Sequence, residues 1–382
     1  MKRIYLDNNA TTALRPEALE EMLPFFREHF GNPSSLHEHG QKARAAVDKA
    51  RMKVAGLIGA RADEIIFTAS GSEANNIAIS GYLSYLNDKR QKHIISSSIE
   101  HKSVYALCKA IEEKKLARLT FLPVDNNGKI NMEAALSSFS EDTVLVSLML
   151  ANNETGVIQP LAEIIHEARK RGIVTHVDAV QALGKTRVNV SDIGADMLSI
   201  SAHKINAPKG IGALYIRRGL KINPLIYGGG HERGLRAGTE NVPAIVAFGK
   251  AAEILASDFD GIIAHELFLR NRLLDGIKKR IENIRINGDI SQSIPNTLNV
   301  SFTGVEAEAL LTRLDMRGIS VSTGSACSSG ASEPSRVLRA MGLDASAAYS
   351  AVRFSVGYDN TADEIDETLN ILEKTIYEMR KI

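Results

Sequence analysis

From Gln41 onward the apolar residues Ala43, Ala46, Val47, Ala50, Val54 and Leu57 recur at helical spacing, and Gly59 follows as a stop. The texture then changes to short Ile- and Val-rich runs separated by helical stretches: Glu64 to Thr68, His93 to Ser97, Thr143 to Met149, Gly172 to Val177 and Asp196 to Ser201. Strands that alternate with helices in this way predict an α/β fold, a mainly parallel sheet flanked by helices, over a large domain of residues 12–255. Beyond it the regular alternation stops. A helical stretch from Ile262 to Ile284 precedes strand-like pieces at Thr297–Phe302, Ile319–Ser322 and Val352–Val356. A final helix opens at Thr361, where Thr361 and Glu364 form a capping box and Ile365, Leu369, Leu372 and Ile376 share one face. These pieces predict a smaller α+β domain of residues 256–382 together with 1–11.

Composition narrows the partners. The 382 residues are 44% hydrophobic, enough for two cores, and 46 Lys+Arg against 45 Asp+Glu leave a net charge of +1. No overall field is available to hold nucleic acid or an anionic membrane. The basic start reaches Asp7 before a signal-peptide core can form, and no run is long enough to span a bilayer. Two cysteines, Cys108 and Cys327, are too few for a disulfide framework and point to a reducing compartment, so a cytoplasmic protein is expected.

In an open parallel sheet, ligands bind beyond the carboxyl ends of the strands. After the run ending at Thr68 come Ser70, Gly71 and Ser72 opening a helix, which suits a phosphate and equally a plain helix cap. After Ser97 comes His101, placed to cover a flat ligand, to move a proton, or to serve only its loop. Asn152 and Asn153 follow the next strand as a turn or as ligands. Asp178 and Gln181 follow Val177, with helix capping the alternative for Asp178, and Ser201 leads through His203 to Lys204. A phosphate cradle, a covering His, a carboxylate and an amine at the ends of one sheet are together what pyridoxal 5'-phosphate requires.

The same residues carry a family pattern, because Asp7-Asn8-Asn9-Ala10-Thr11-Thr12, Gly31-Asn32-Pro33-Ser34-Ser35, Val177-Asp178-Ala179-Val180-Gln181 and Ser201-Ala202-His203-Lys204 occur in this order. The chain resembles the cysteine desulfurases of the NifS/IscS type, class V aminotransferase-like enzymes of fold type I, from Tyr5 to about Tyr358. The resemblance implies that Lys204 holds pyridoxal phosphate in the large domain, that Gly71, Ser72, Ser201 and His203 contact its phosphate, and that His101 stacks on its ring as an acid–base group. Asn153, Asp178 and Gln181 match groups that orient the ring, and Arg353, with Asn153, matches the site of the substrate carboxylate. Thr239 matches a phosphate contact reaching in from a second subunit, which implies a homodimer.

Cys327, in Ser322-Thr323-Gly324-Ser325-Ala326-Cys327-Ser328-Ser329-Gly330, matches the sulfur-accepting cysteine on a mobile loop of the small domain. The implied reaction takes sulfur from L-cysteine, leaving L-alanine and a persulfide on Cys327. The implied acceptor is an iron–sulfur scaffold or another protein of iron–sulfur or tRNA-thiolation pathways, as Glu333-Pro334-Ser335-Arg336 after the loop resembles that subgroup. The chain ends at Ile382, directly after its last helix, whereas some members extend further to dock a scaffold, so the acceptor stays open. Two cysteines do not complete an all-cysteine cluster, so any iron–sulfur cluster on Cys327 would be transient and shared. Competing readings keep the cofactor and change the reaction, to selenocysteine lyase, cysteine-sulfinate lyase or aminotransferase, and Cys327 is the feature transamination does not need. A nucleotide-binding protein lacks support, since neither G-x-G-x-x-G nor a Walker A pattern follows the first strand, and His37 with His39 has no third metal ligand.

Overall fold

The computed structural model describes residues 3–87, 91–323 and 334–381. Its strands in chain order are β1 (Ile4–Tyr5), β2 (Ile65–Thr68), β3 (His93–Ser97), β4 (Arg118–Leu122), β5 (Thr143–Met149), β6 (Val174–Asp178), β7 (Met197–Ser201), β8 (Gly212–Ile216), β9 (Ile284–Ile286), β10 (Thr297–Phe302), β11 (Ile319–Ser320) and β12 (Ala351–Ser355). Seven of them form one sheet in the order β2-β8-β7-β6-β5-β3-β4. β4, β3, β5, β6 and β7 pair in parallel, and β8 is antiparallel to both β7 and β2. Six of the seven strands therefore run the same way, and their carboxyl ends share one edge.

Side chains alternate along each strand, so every strand feeds both faces. On one face Ile66, Ile94, Leu145, Met197 and Leu214 pack under the helices Gly71–Tyr85 and Lys102–Glu113. On the other, Phe67, Ile95, Val146, Leu198 and Ala213 pack against Glu38–Leu57, Leu161–Lys170 and Val242–Ser257. Burial on both faces is why these strands read as Ile- and Val-rich runs without a strict apolar–polar alternation, their few Ser, Thr and His residues being buried too.

A second core joins Leu298, Val300 and Phe302 of β10 to Val352 and Phe354 of β12 and to the helices Phe259–Arg280, Ala307–Met316 and Ala362–Met379. Ile4 and Leu6 enter this core from the other end of the sequence, because β1 pairs with β11. The capping box forms as expected: Thr361 Oγ1 accepts from the Glu364 N–H and Glu364 Oε2 from the Thr361 N–H, both at 3.2 Å.

Two elements differ from the pattern reading. The helix expected to run to Ile284 ends at Arg280, and Asn283 at φ 51 turns the chain so that Ile284–Ile286 becomes β9, paired with β10. β4 at the sheet edge has a mostly half-exposed pattern, so Arg118–Leu122 lacks the apolar signature that marks the inner strands. No helix among the described residues is long and apolar enough to cross a membrane.

Candidate active site

The shared carboxyl edge opens on a cavity of about 260 Å³ whose wall includes Gly71, Ser72, His101, Asp178, Lys204 and Arg353. Asn153, Gln181, Ser201 and His203 line it as well, so the strand-end residues singled out in the sequence meet in one place. A larger cleft of about 800 Å³ lies apart, where Arg44 is already paired with Glu240 and Arg51 with Glu232.

One end of the cavity is built by the helix Gly71–Tyr85, whose cap is Ser70: its Oγ accepts from the Glu73 N–H at 3.1 Å. The plain cap forms at this turn, and Gly71 and Ser72 also line the cavity at the helix start, where backbone N–H groups lack intrahelical partners. Packing here is close. A Cβ on Gly71 would come within 2.5 Å of Val180 Cγ2, and one on Gly212 within 2.7 Å of the Ser70 carbonyl carbon. Only glycines let the reversed strand β8 and the helix start share this corner.

Asp178 is the last residue of β6 and does not cap a helix. Its Oδ2 accepts from Asn75 Nδ2 at 2.8 Å and its Oδ1 from the Val180 N–H at 3.0 Å. Lys204 ends the short turn after β7, and its Nζ donates to the carbonyls of Asn9 and, at 3.0 Å, Ala10. The N-terminal segment is laid across this turn: the Thr12 N–H and Oγ1 both donate to the His203 carbonyl, at 3.0 and 2.9 Å. Burial, with Lys204 and Lys209 nearby, pushes His203 down to about 4, so its ring is neutral at physiological pH.

Asn152 makes the turn after β5, its Oδ1 accepting from the Glu154 and Thr155 N–H groups, and this leaves Asn153 at the cavity. Arg353 on β12 is 4% exposed; its Nη2 donates to Asp7 Oδ1 at 2.7 Å and its Nη1 to the Asn153 carbonyl at 2.8 Å. A structural ion pair is thus present, yet Nε has no partner. His101 caps the helix Lys102–Glu113, its Nδ1 accepting from the Ser103 N–H at 3.2 Å. Burial holds His101 below the usual histidine range, Asp178 opposes this, and Lys204, Arg336 and Lys102 reinforce it.

Not every expected residue meets here. Thr239 is exposed and lines a separate cleft beside Phe67, Thr68 and Gly210. Cys327 lies outside the described residues. Among the described residues no group of three or more His, Cys, Asp and Glu is arranged to hold a metal, and the His37 ring caps a helix by accepting from the Gly40 N–H. Asn75, Ser103 and Asp7 line or support the cavity without having been singled out for it: the first two sit within helices, and Asp7 was only part of a motif.

Asn75 Oδ1, Gln181 Oε1, Ser201 Oγ and Arg353 Nε are buried without partners, and all four residues line the cavity. Buried polar atoms are nearly always satisfied, so this cluster marks the seat of a polar ligand. A helix start for an anion, a buried carboxylate for a basic ring nitrogen and an amine for an aldehyde are the donor set that pyridoxal phosphate needs, and they fit it.

Behind His101, Glu100 is fully buried, its Oε1 accepting from Ser97 Oγ and, at 3.0 Å, from the Met149 N–H, while Oε2 has no partner. Burial pushes its carboxyl up to about 8, against the hydrogen bonds from Ser97 and Met149. A folded-state value above the unfolded one means that the group's stabilising contribution is complete below the unfolded pKa and fades as pH rises through about 8. Glu100→Gln, neutral at every pH, is therefore expected to melt higher than the parent above pH 8, by about 1–3 °C, and to show no such gain at pH 5. Scanning calorimetry at the two pH values checks this, and an equal shift at both would contradict a buried neutral carboxyl.

The model of the family described as "Aminotransferase class-V" matches residues 4–368. The chain is 46% identical to the protein named "Cysteine desulfurase IscS" of Dictyoglomus turgidum, an alignment that covers 100% of this chain and 97% of that protein. Among solved structures, one titled "NIFS-LIKE PROTEIN" superposes with a TM-score of 0.92 at 39% identity, over 98% of this chain and 100% of the other. Another, titled "SspA in complex with cysteine", superposes with a TM-score of 0.81 at 33% identity, over 94% of this chain and 100% of the other.

Proposed function

The chain belongs to the class-V aminotransferase family and, within it, to the pyridoxal-phosphate-dependent cysteine desulfurases, and from that premise we propose how its own residues divide the work. The observation that carries the assignment is the single cavity lined together by Lys204, Asp178, a helix start and Arg353, whose buried Nε has no partner. Bound there, pyridoxal phosphate supplies the aldehyde that takes the substrate amine and the ring that accepts the electron pair left at Cα.

The N–H groups of Gly71 and Ser72, with Ser201 and His203, hold the phosphate, and Thr239 of a second copy completes it. Asp178, kept in place by Asn75 and Val180, holds the ring-nitrogen proton, Gln181 and Asn153 orient the ring, and His101 covers it. Arg353, pinned by Asp7 and the Asn153 carbonyl, keeps Nε for the carboxylate of L-cysteine. The Lys204 amine takes the proton from Cα. The Cys327 thiolate attacks the substrate sulfur: an S–S bond forms, the Cβ–S bond breaks, and its electron pair with protons completes L-alanine. Sulfur remains on Cys327 as a persulfide. The described residues on either side of 324–333 support this role, since Ser322 bridges the cavity residue Arg353 and Arg336 donates to the carbonyls of Ser98 and Glu100, the latter next to His101.

The active unit is a homodimer, a reading supported by the exposed Thr239 and by exposed apolar side chains such as Leu36 (91%) and Tyr227 (82%). The domains are residues 12–255 and 1–11 with 256–382, supported by Leu255 in the first core and Ile4, Leu6 and Leu269 in the second. The sulfur acceptor is an iron–sulfur scaffold or a tRNA-thiolation protein, met in the cytoplasm. The test is to incubate the cofactor-loaded protein with L-cysteine and a reductant and to assay alanine and sulfide together. Equimolar alanine and sulfide are expected; pyruvate in place of alanine, or alanine without released or bound sulfur, would overturn the scheme.

A further inference from the structure

Asp178 and His101 are joined through two residues outside the roles given above. Asn75, on the helix after β2, donates one amide hydrogen to Asp178 Oδ2 at 2.8 Å and the other to Ser103 Oγ at 2.9 Å. This amide cannot be turned round, because its oxygen would then face the Asp178 carboxylate, acceptor against acceptor. Ser103 Oγ, having accepted from Asn75, has one hydrogen to give, and His101 Nδ1 lies 2.8 Å away. The Ser103 backbone N–H, which can only donate, approaches the same nitrogen at 3.2 Å. Two donors thus converge on Nδ1, so Nδ1 carries no proton and the neutral ring keeps its hydrogen on Nε2.

We infer that Asn75 and Ser103 are positioning residues that lock His101 as the Nε2–H tautomer, so that His101 serves desulfuration as a hydrogen donor from Nε2 and leaves proton abstraction to Lys204. The second half rests on the role proposed for His101 above. Asn75 is 1% exposed and leaves its own Oδ1 without a partner, a cost that a residue present only for packing would not carry. A ring protonated on both nitrogens would turn an N–H against the Ser103 N–H. The charges that bear on the ring are Lys204 after β7, Arg336 beyond β11 and Lys102 on its own helix, all opposing a second proton, and Asp178 on β6 favouring it. With Nε2 already carrying hydrogen, the ring cannot accept the thiol proton of the incoming substrate, which separates donor and acceptor between two side chains.

The test reads the tautomer directly, from nitrogen NMR of ¹⁵N-histidine-labelled protein, with and without bound cofactor, His101 being assigned by its loss in His101→Gln. In the parent across neutral pH, Nδ1 is expected to resonate as an unprotonated nitrogen and Nε2 as a protonated one. Ser103→Ala is expected to give mixed tautomers, to move the acidic limb of the pH–rate profile toward neutral and to slow alanine formation about 10-fold, with Ser103→Thr restoring all three. Asn75→Ala is expected to shift the same resonances. A protonated Nδ1 in the parent would overturn the lock even if every variant failed to fold. Ser103→Ala with the parental tautomer and pH profile would overturn the role of Ser103. Parental turnover in His101→Gln would remove the second half of the inference, a failure of the assigned role that is read apart from the spectrum.

Discussion

Lys204→Ala is expected to lower alanine formation by about 10⁴-fold or more, because it removes in one step the amine that tethers the cofactor and the group that carries the Cα proton. The surroundings of Lys204 agree with both duties. Its Nζ lies at the cavity and donates to the Asn9 and Ala10 carbonyls, neutral acceptors that a covalent partner can replace. Borohydride reduction of the cofactor-loaded parent is expected to fix the cofactor on the peptide containing Lys204, and the variant is expected to yield no labelled peptide. The residue stands at the end of β7 in a three-residue turn and outside both cores, so the variant is expected to fold and to keep its melting temperature within a few degrees. Retention of more than a tenth of the parental rate would take Lys204 out of the reaction.

How far this site could be read in advance depended on which signals are local. Lys204, Asp178 and His101 stand just beyond or at the ends of buried strands, and these strands announce themselves as short runs of Ile, Val, Leu and Met mixed with small polar residues and histidine. Once the ends are found, sheet topology brings their side chains together. Asn75 and Ser103 escape that logic, because each sits inside a helix where an amide or hydroxyl is an ordinary surface choice, and only the packing of these two helices against each other beside Asp178 turns them inward. Asp7 escapes for another reason. Its partner is Arg353, 346 residues away, and the pairing depends on β1 joining the second core from the far end of the chain. β9 merges with the preceding helix in the apolar pattern because the turn between them, extended at Ile281 and left-handed at Asn283, is a backbone feature that apolar spacing does not register.

Cys327→Ala is expected to abolish sulfur transfer while leaving the cofactor in place, and the argument turns on the other cysteine. Cys108 is fully buried, and burial, with the Glu100 carboxyl nearby and only the Ser96 hydroxyl in opposition, pushes its thiol up to about 12. At pH 7 about 1 molecule in 10⁵ would then carry a Cys108 thiolate, in a place no substrate reaches. The chain has two cysteines, so Cys327 is the one thiol left to serve as the nucleophile. Alanine formation in Cys327→Ala is expected to fall about 10³-fold, whereas Cys108→Ala should stay within about twofold of the parent, with at most a loss of stability from the small cavity it leaves. Mass spectrometry after a single turnover adds a second reading: the parent and Cys108→Ala should gain one sulfur atom, and Cys327→Ala none. Alanine made at the parental rate by Cys327→Ala would mean that sulfur leaves without the chain's own thiol, and the persulfide step would have to be abandoned while the tether on Lys204 and the carboxylate site at Arg353 stood.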